Sequence, residues 1–488
     1  LSEKLFADNP TIQTRSSFDA VFTETNTGTL YKATESIAGS PAKDVYYFAG
    51  DAKNNWVNFG KYQTDYVVYR GYSETGSKYI DYLTMEACTS ASNYNINCTE
   101  QIYWNKGNDI YWRIVRTNYD GSVKLLYAGN SPDTTSGYIG TSAFNSTNND
   151  SMYVGYKYGT SGTLANNRLN TNDSTIKTFI DNWYSNNLTS YTKYISTEAV
   201  YCNDRKAPSY SISSSFDYYV QTRLGAGNPT YDCEDSSDAF SGSNSEAKLT
   251  HPIGLMTADE ISYAGGVWIK NAATWYYLNS KGSASIKNGQ NEWWLLSAAS
   301  WDTDKSSVVF KVSSSQDRKA QFGAQSVQYE LHVRPVISLK KDVLYKSGDG
   351  SPTSPYEVIA DPVNMYTVSL TVNNGSGTDT VLVEEGKNAT FTVSPNSGYK
   401  AELETNTCGG TLSGNTYTIS NVTSNKTCSI TFKKNETTLA SLLQTNAVNE
   451  NGYRYEGANP NNYIQMEKTD GTTEMWRIIG LFPDGANG

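Results

Sequence analysis

The sequence predicts a β-rich chain made of a large α+β domain, a small all-β module and the start of a second large domain. Three observations carry this reading. Tyr reaches 38 residues against 39 Lys and Arg together, and strand-favouring Tyr and Thr are interleaved with turn-favouring Asn, Ser and Gly. From Tyr366 onward apolar residues fall on alternate positions, the period of a strand. The last segment of the chain also matches the first in order and spacing.

The 488 residues, at about 150 per domain, leave room for about three domains. A net charge of −10 with no clustered basic patch argues against a nucleic-acid partner. No run of about 18 apolar residues occurs, so no membrane-spanning helix is expected. His251 and His332 are the only histidines, which leaves little for a His-based zinc site or a His-dependent catalytic scheme.

The elements follow in order. Leu1, Leu5 and Phe6 share one face of a short helical turn that Asn9-Pro10 stops. Strands are expected at 45–48 and 55–59, and residues 62–106 read as an insertion that carries the first Cys pair. The runs Ile110–Arg116 and Val123–Tyr127 flank Asp120-Gly121, the cleanest hairpin signal in the chain. Polar residues 131–172 read as a long loop. Ile176, Phe179, Ile180 and Trp183 at i, i+3, i+4 and i+7 then mark a helix, with Asp173 or Ser174 as N-cap. Thr257 and Glu260 form a capping-box pattern for a helix over 258–264, which Gly265-Gly266 ends.

Further strands are expected at 292–297, 308–312 and 332–339, the last with Pro335 at an edge or bulge. The large domain is thus 1–345, followed by a linker at 346–362, where Ser347–Pro355 reads as linker or terminal turn. Residues 363–434 form the small all-β module. Tyr366, Val368, Leu370 and Val372 lie on one face there, as do Ala389, Phe391 and Val393, and Cys428, Ile430 and Phe432.

The repeat aligns 46–57 with 453–464 without a gap, and Trp112-Arg113-Ile114-Val115 with Trp476-Arg477-Ile478-Ile479. Leu5-Phe6 and Asn9 match Leu442-Leu443 and Asn446. Residues 438–488 therefore read as a truncated second copy that lacks the insertion, and its apolar residues should be under-buried.

Six cysteines allow 15 pairings. Local pairing, Cys88–Cys98, Cys202–Cys233 and Cys408–Cys428, is the expectation because each pair shares one segment or module. Such a disulfide set fits an exported protein, and six unrelated thiols are the bland alternative.

The segments Tyr111–Arg116, Asp181–Tyr184, Tyr201–Arg205, Pro252–Glu260 and Val333–Leu339 together resemble an uncharacterised domain of bacterial surface proteins. The resemblance covers about the first 345 residues and implies a large, exported, multi-modular, extracellular or cell-surface protein. Trp293-Trp294-Leu295-Leu296-Ser297 and Val333-Arg334-Pro335-Val336 also resemble the closing strands of C-type-lectin-like domains related to formylglycine-generating enzymes. That implies a C-type-lectin-like fold. It does not carry over the enzyme's cysteine chemistry, since no cysteine lies between Cys233 and Cys408. Through Tyr366-Thr367-Val368, Phe391–Tyr399 and Thr416–Thr423, residues 366–433 resemble the divergent internalin-type B-repeat of bacterial surface proteins, which implies a spacer or interaction module.

Trp268, Trp275 and Trp301 with Asp302 are the candidate ligand-binding residues, because exposed indoles stack on sugars or anchor protein partners. Core packing is their structural alternative. Glu292 beside Trp293 and Trp294 has no carboxylate partner in the sequence for hydrolysis and reads as a strand-edge residue. Arg334 reads as a structural ion-pair partner, His251 as a loop residue, and His332 as exposed at a strand start. No cofactor is expected. Asp and carbonyl oxygens leave Ca²⁺ open, but no EF-hand spacing exists. The reading is non-catalytic adhesion or ligand display towards a glycan or host surface protein. A stalk without ligand and a carbohydrate-active enzyme are the alternatives.

Overall fold

The computed structural model describes residues 1–481 except 23, 77–78, 133–136, 208–213, 269–290, 304–305, 315–319, 361–363, 436–438, 450–452 and 459. The chain is β-rich, with 43% strand and 15% helix, and divides into two units, Leu1–Val363 and Asn364–Gly488.

The hairpin around Asp120-Gly121 is the spine of the first unit. Asp109–Thr117 and Val123–Gly129 pair antiparallel from Tyr111↔Gly129 to Thr117↔Val123, and Gly121 takes φ 81° in the turn. The other edge of Asp109–Thr117 carries Trp56–Lys61 and Lys43–Tyr47, while Val123–Gly129 pairs onward with Val336–Leu339. Flanked on both sides, Val123–Gly129 is buried at every position, Lys124 included. These strands belong to a nine-stranded sheet that curls into a half-barrel.

A second, six-stranded sheet is built on the long strand Asn291–Asp302. It pairs with Ser306–Ser314 on one side, and with Phe216–Asp217 and Glu330–His332 elsewhere along its length. The helix Thr175–Asn187 starts at Ser174, whose hydroxyl accepts the Lys177 N–H at 3.2 Å, and it buries Ile176, Ile180, Trp183 and Tyr184. The Ala258–Ala264 helix has the full capping box and stops at Gly265, φ 122°. Residues 131–172, expected as loop, carry several short elements, among them the strand Thr141–Ala143 and the helix Leu164–Asn167.

Of the two readings of Ser347–Pro355, the structure has the terminal turn in place of the linker. Tyr345–Ser347 and Tyr356–Val358 form a hairpin, and Tyr356–Val358 adds to Trp56–Lys61 in parallel, Tyr356 beside Val57. Tyr356 is fully buried and its hydroxyl donates to Asp8 at 2.9 Å. Three-residue strands are too short to show a period, and the glycines taken for linker punctuation, Gly348 and Gly350, make the turn at φ 95° and 79°.

In the second unit, Met365–Asn373, Asp379–Glu384, Tyr399–Asn406 and Lys426–Lys434 form one sheet, and Ala389–Thr392, Thr411–Ser413 and Thr416–Ile419 another. Val368, Leu370, Phe391, Tyr417, Ile430 and Phe432 form their common core, the faces read from the alternation. All three local disulfides are present, with Cα separations of 6.1, 5.8 and 5.5 Å.

Candidate functional site

Among the described residues the candidate tryptophans do not form a surface platform. Trp301 is 5% exposed, and Trp293 and Trp294 are buried outright, because strands on either side and core side chains above and below enclose Asn291–Asp302. Trp268 is half-buried and packs edge-on against Phe310, with ring centroids 4.7 Å apart. Asp302 is half-buried and takes a hydrogen bond from the Ser215 hydroxyl at 3.3 Å. Trp275 lies outside the described residues. The stacking site expected at Trp301 is therefore core instead.

Several motif residues serve the interior. Lys124 is buried because its strand is enclosed, and a buried ammonium needs a partner. Glu260, three residues into its helix, supplies it: Oε1 accepts from Lys124 Nζ at 2.6 Å and from Arg116 Nε at 2.8 Å. Its Oε2 completes the capping box on the Thr257 N–H at 3.0 Å. Arg116 reaches Glu35 at 2.9 Å with its other arm. Burial alone would raise the Glu260 carboxyl, but the Lys124 and Arg116 cations outweigh it and hold it at about 2. Arg205 is likewise buried, paired to Asp238 at 2.7 Å and bonded to the carbonyls of Lys157 and Ser237. Arg334 is buried as well, donates to the Tyr127 carbonyl at 3.1 Å and lies over the Trp293 ring.

The two histidines differ: His251 lies in a loop, as expected, while His332 departs from expectation. His332 is 4% exposed rather than open to solvent; its ring lies 4.2 Å from Tyr138, and Nδ1 meets the Glu292 carbonyl at 3.0 Å. Glu292 itself is buried and paired to Lys311. Burial pushes His332 down to about 4. His251 stacks on Tyr184, and its Nε2 contacts the Ser185 hydroxyl at 2.9 Å. Burial and the Lys177 cation hold it at about 4 as well. A Ser–His contact needs a third group to orient the ring for nucleophilic catalysis. Among the described residues no carboxylate hydrogen-bonds the other ring nitrogen.

These shifts set an acid response with two windows. An imidazole depressed in the fold contributes stability above its unfolded value of 6.5 that is lost as pH falls towards 4. For the enclosed His332 this loss is about 3 kcal/mol. Glu260 adds a second loss as pH falls from 4.5 towards 2. Urea unfolding at pH 7, 5 and 4 should show the first window, and His332→Asn should shrink it. An unchanged pH slope in that variant would contradict the assignment.

A cavity of about 590 Å³ lies beside Trp56–Lys61, lined by Phe59, Lys61, Asp109, Tyr191, Lys346 and Glu357. Lys61 pairs with Asp109 and Lys346 with Glu357, so its charges neutralise one another. Hydrogen bonding from Ser347 and then the Lys346 cation hold the Glu357 carboxyl below its usual range. Among the described residues no group of three His, Cys, Asp or Glu is placed to hold a metal ion.

The insertion projects as a sheet of its own with exposed apolar side chains. Tyr62 N–H to the Asn108 carbonyl (3.0 Å) and Gly107 N–H to the Tyr62 carbonyl (2.8 Å) close its base. Above this, Tyr66–Tyr72, Tyr79–Tyr82 and Ile96–Trp104 form a separate three-stranded sheet. The Cys88–Cys98 bridge ties the Met85–Thr89 helix to it. Gly71 permits this packing, since a Cβ there would lie 1.9 Å from the Tyr94 carbonyl oxygen. Leu83, Met85, Ile96 and Ile102 are 41–76% exposed.

The repeat shows what kind of insertion this is. In the first segment Trp56 and Val57 face Arg113 and Trp112; in the second, Tyr463 and Ile464 face Arg477 and Trp476, the same register. Asn55 clamps Ile114 through two hydrogen bonds of 3.0 and 2.7 Å, and Asn462 clamps Ile478 through two of 2.7 and 2.8 Å. Arg113 lies over Trp56 at 4.2 Å and Arg477 over Tyr463 at 4.8 Å. The second segment closes this hairpin with a short turn, Lys468 N–H to the Thr472 carbonyl at 2.7 Å. The disulfide-pinned sheet thus occupies the position of a hairpin turn, where an insertion leaves the scaffold undisturbed. Comparison with family models, curated proteins and solved structures gives no match for this chain.

Proposed function

We propose that this is an exported, modular bacterial surface protein whose large domain acts in adhesion or ligand display without catalysis. The observation that carries the reading is one hairpin built twice in the same register, bearing a pinned, exposed sheet in one copy and a plain turn in the other. Binding residues tend to sit on loops held by a rigid scaffold, and the insertion has that placement. Of the two partner classes, a host surface protein fits its apolar side chains better than a glycan does. Export is supported by the three disulfides. For the large domain we favour a divergent C-type-lectin-like fold, supported by the adjacency of the two closing segments, Trp293 beside His332.

A stalk without ligand is favoured by the enclosed tryptophans and the self-neutralising cavity. The carbohydrate-active reading needs a carboxyl with a raised pKa facing a cleft; burial raises Asp181 and Asp238, but these are paired to Lys177 and Arg205, and Glu357 at the cavity is held in the opposite direction. The test is capture of host-surface proteins by the intact chain, with a glycan array alongside. Leu83→Asp with Ile102→Asp should weaken protein capture by more than about tenfold, as truncating a binding hot spot does. No capture by the unsubstituted chain favours the stalk.

A further inference from the structure

The second hairpin exposes what the first one buries. Phe59 and Trp112 lie on one face with Val57 and Ile114, and all four are at most 1% exposed. Their counterparts Met466 and Trp476 are each 54% exposed, and Ile479, opposite number of the buried Val115, is 71% exposed. The cause is visible in the first unit. Asp109–Thr117 has Val123–Gly129 on its second edge, and Trp112 is enclosed by Tyr127 from that strand and Trp183 from the helix Thr175–Asn187. Among the described residues Thr473–Arg477 pairs with Tyr463–Glu467 alone, which leaves that second edge open.

An open strand edge beside an apolar face is a template for strand addition. We propose that the edge of Thr473–Arg477 and the Ile464–Met466–Trp476–Ile478 face form a docking surface. Its occupant is a strand-and-helix segment of this same repeat type, with the pattern of Val123–Gly129 and Thr175–Asn187. The identity of register specifies it: Trp476 needs an aromatic residue opposite, as Tyr127 stands opposite Trp112, and an indole-bearing helix above.

The test supplies that segment. Residues 116–363 are joined after position 479 of the chain, and thiol labelling is followed in an Ile479→Cys background. We expect labelling at least about 100-fold slower than in the unextended chain, as for a side chain reached only by local opening. Trp476→Lys in the extended chain should restore fast labelling. Unchanged labelling in an extended chain that forms four disulfides, the fourth from the added Cys202–Cys233 pair, and keeps its melting transition overturns the proposal. So does slow, concentration-dependent labelling of the unextended chain, which would make a second copy of this chain the occupant. If the extended chain does not fold, a peptide of residues 121–131 added to the intact chain decides. Amide protection confined to 473–477 supports the proposal, and none at millimolar peptide overturns it.

Discussion

Replacing Glu260 with alanine is expected to destabilise the large domain by about 3–5 kcal/mol. The carboxylate is the shared partner of Lys124 and Arg116, both enclosed, and it also satisfies the Thr257 N–H at the start of its helix. Its removal leaves two buried cations to Glu35 alone and takes the acceptor from the Thr257 N–H, while the Thr257 hydroxyl still caps the N–H of residue 260. Replacing Lys124 and Glu260 together with methionine should recover part of the loss, because no unpaired charge then remains on either. Denaturant midpoints of the three variants measure this. A loss below about 1 kcal/mol for Glu260→Ala would mean that the network is not the keystone described here.

The second large effect is a contrast between two matched positions. Trp112→Ala should cost about 3–5 kcal/mol, since the indole is enclosed by Tyr127 and Trp183 and donates to the Phe59 carbonyl at 2.9 Å. Trp476→Ala should change stability by no more than about 0.5 kcal/mol, as a surface substitution does. The two residues share sequence context, register and neighbouring arginine, so the difference isolates what covers the hairpin. Equal losses would show that Trp476 is packed in solution.

The parts legible in the sequence are those specified by residues close to one another along the chain. The capping box at Thr257–Glu260, the Asp120-Gly121 hairpin, the helix from Ser174 and the alternation of the small module all follow from local pattern. The repeat was legible because two short matched segments must pair with each other, and the observed register joins them. Burial was not legible where distant segments decide it. Trp301 and His332 are enclosed because Asn291–Asp302 meets strands from elsewhere in the chain, which no local window reveals. The partners of Arg116 are Glu35 and Glu260, 81 and 144 residues away. For the site, the sequence marked 62–106 as an insertion but placed the aromatic candidates elsewhere. A signal was available in the repeat itself, where one copy carries a stretch that the other omits.

The most direct test of ligand display on a repeated hairpin is to take the displayed element away. Tyr69 and Glu100 face each other across the insertion sheet, so residues 70–99 can be replaced by an Asn-Gly turn that closes this pair as a hairpin. Capture of host-surface proteins is then compared between the shortened and intact chains, at equal folded concentration. The account predicts an unchanged melting transition for the rest of the large domain and loss of capture. Capture that survives the replacement would contradict it, and would move the binding surface to another part of the chain.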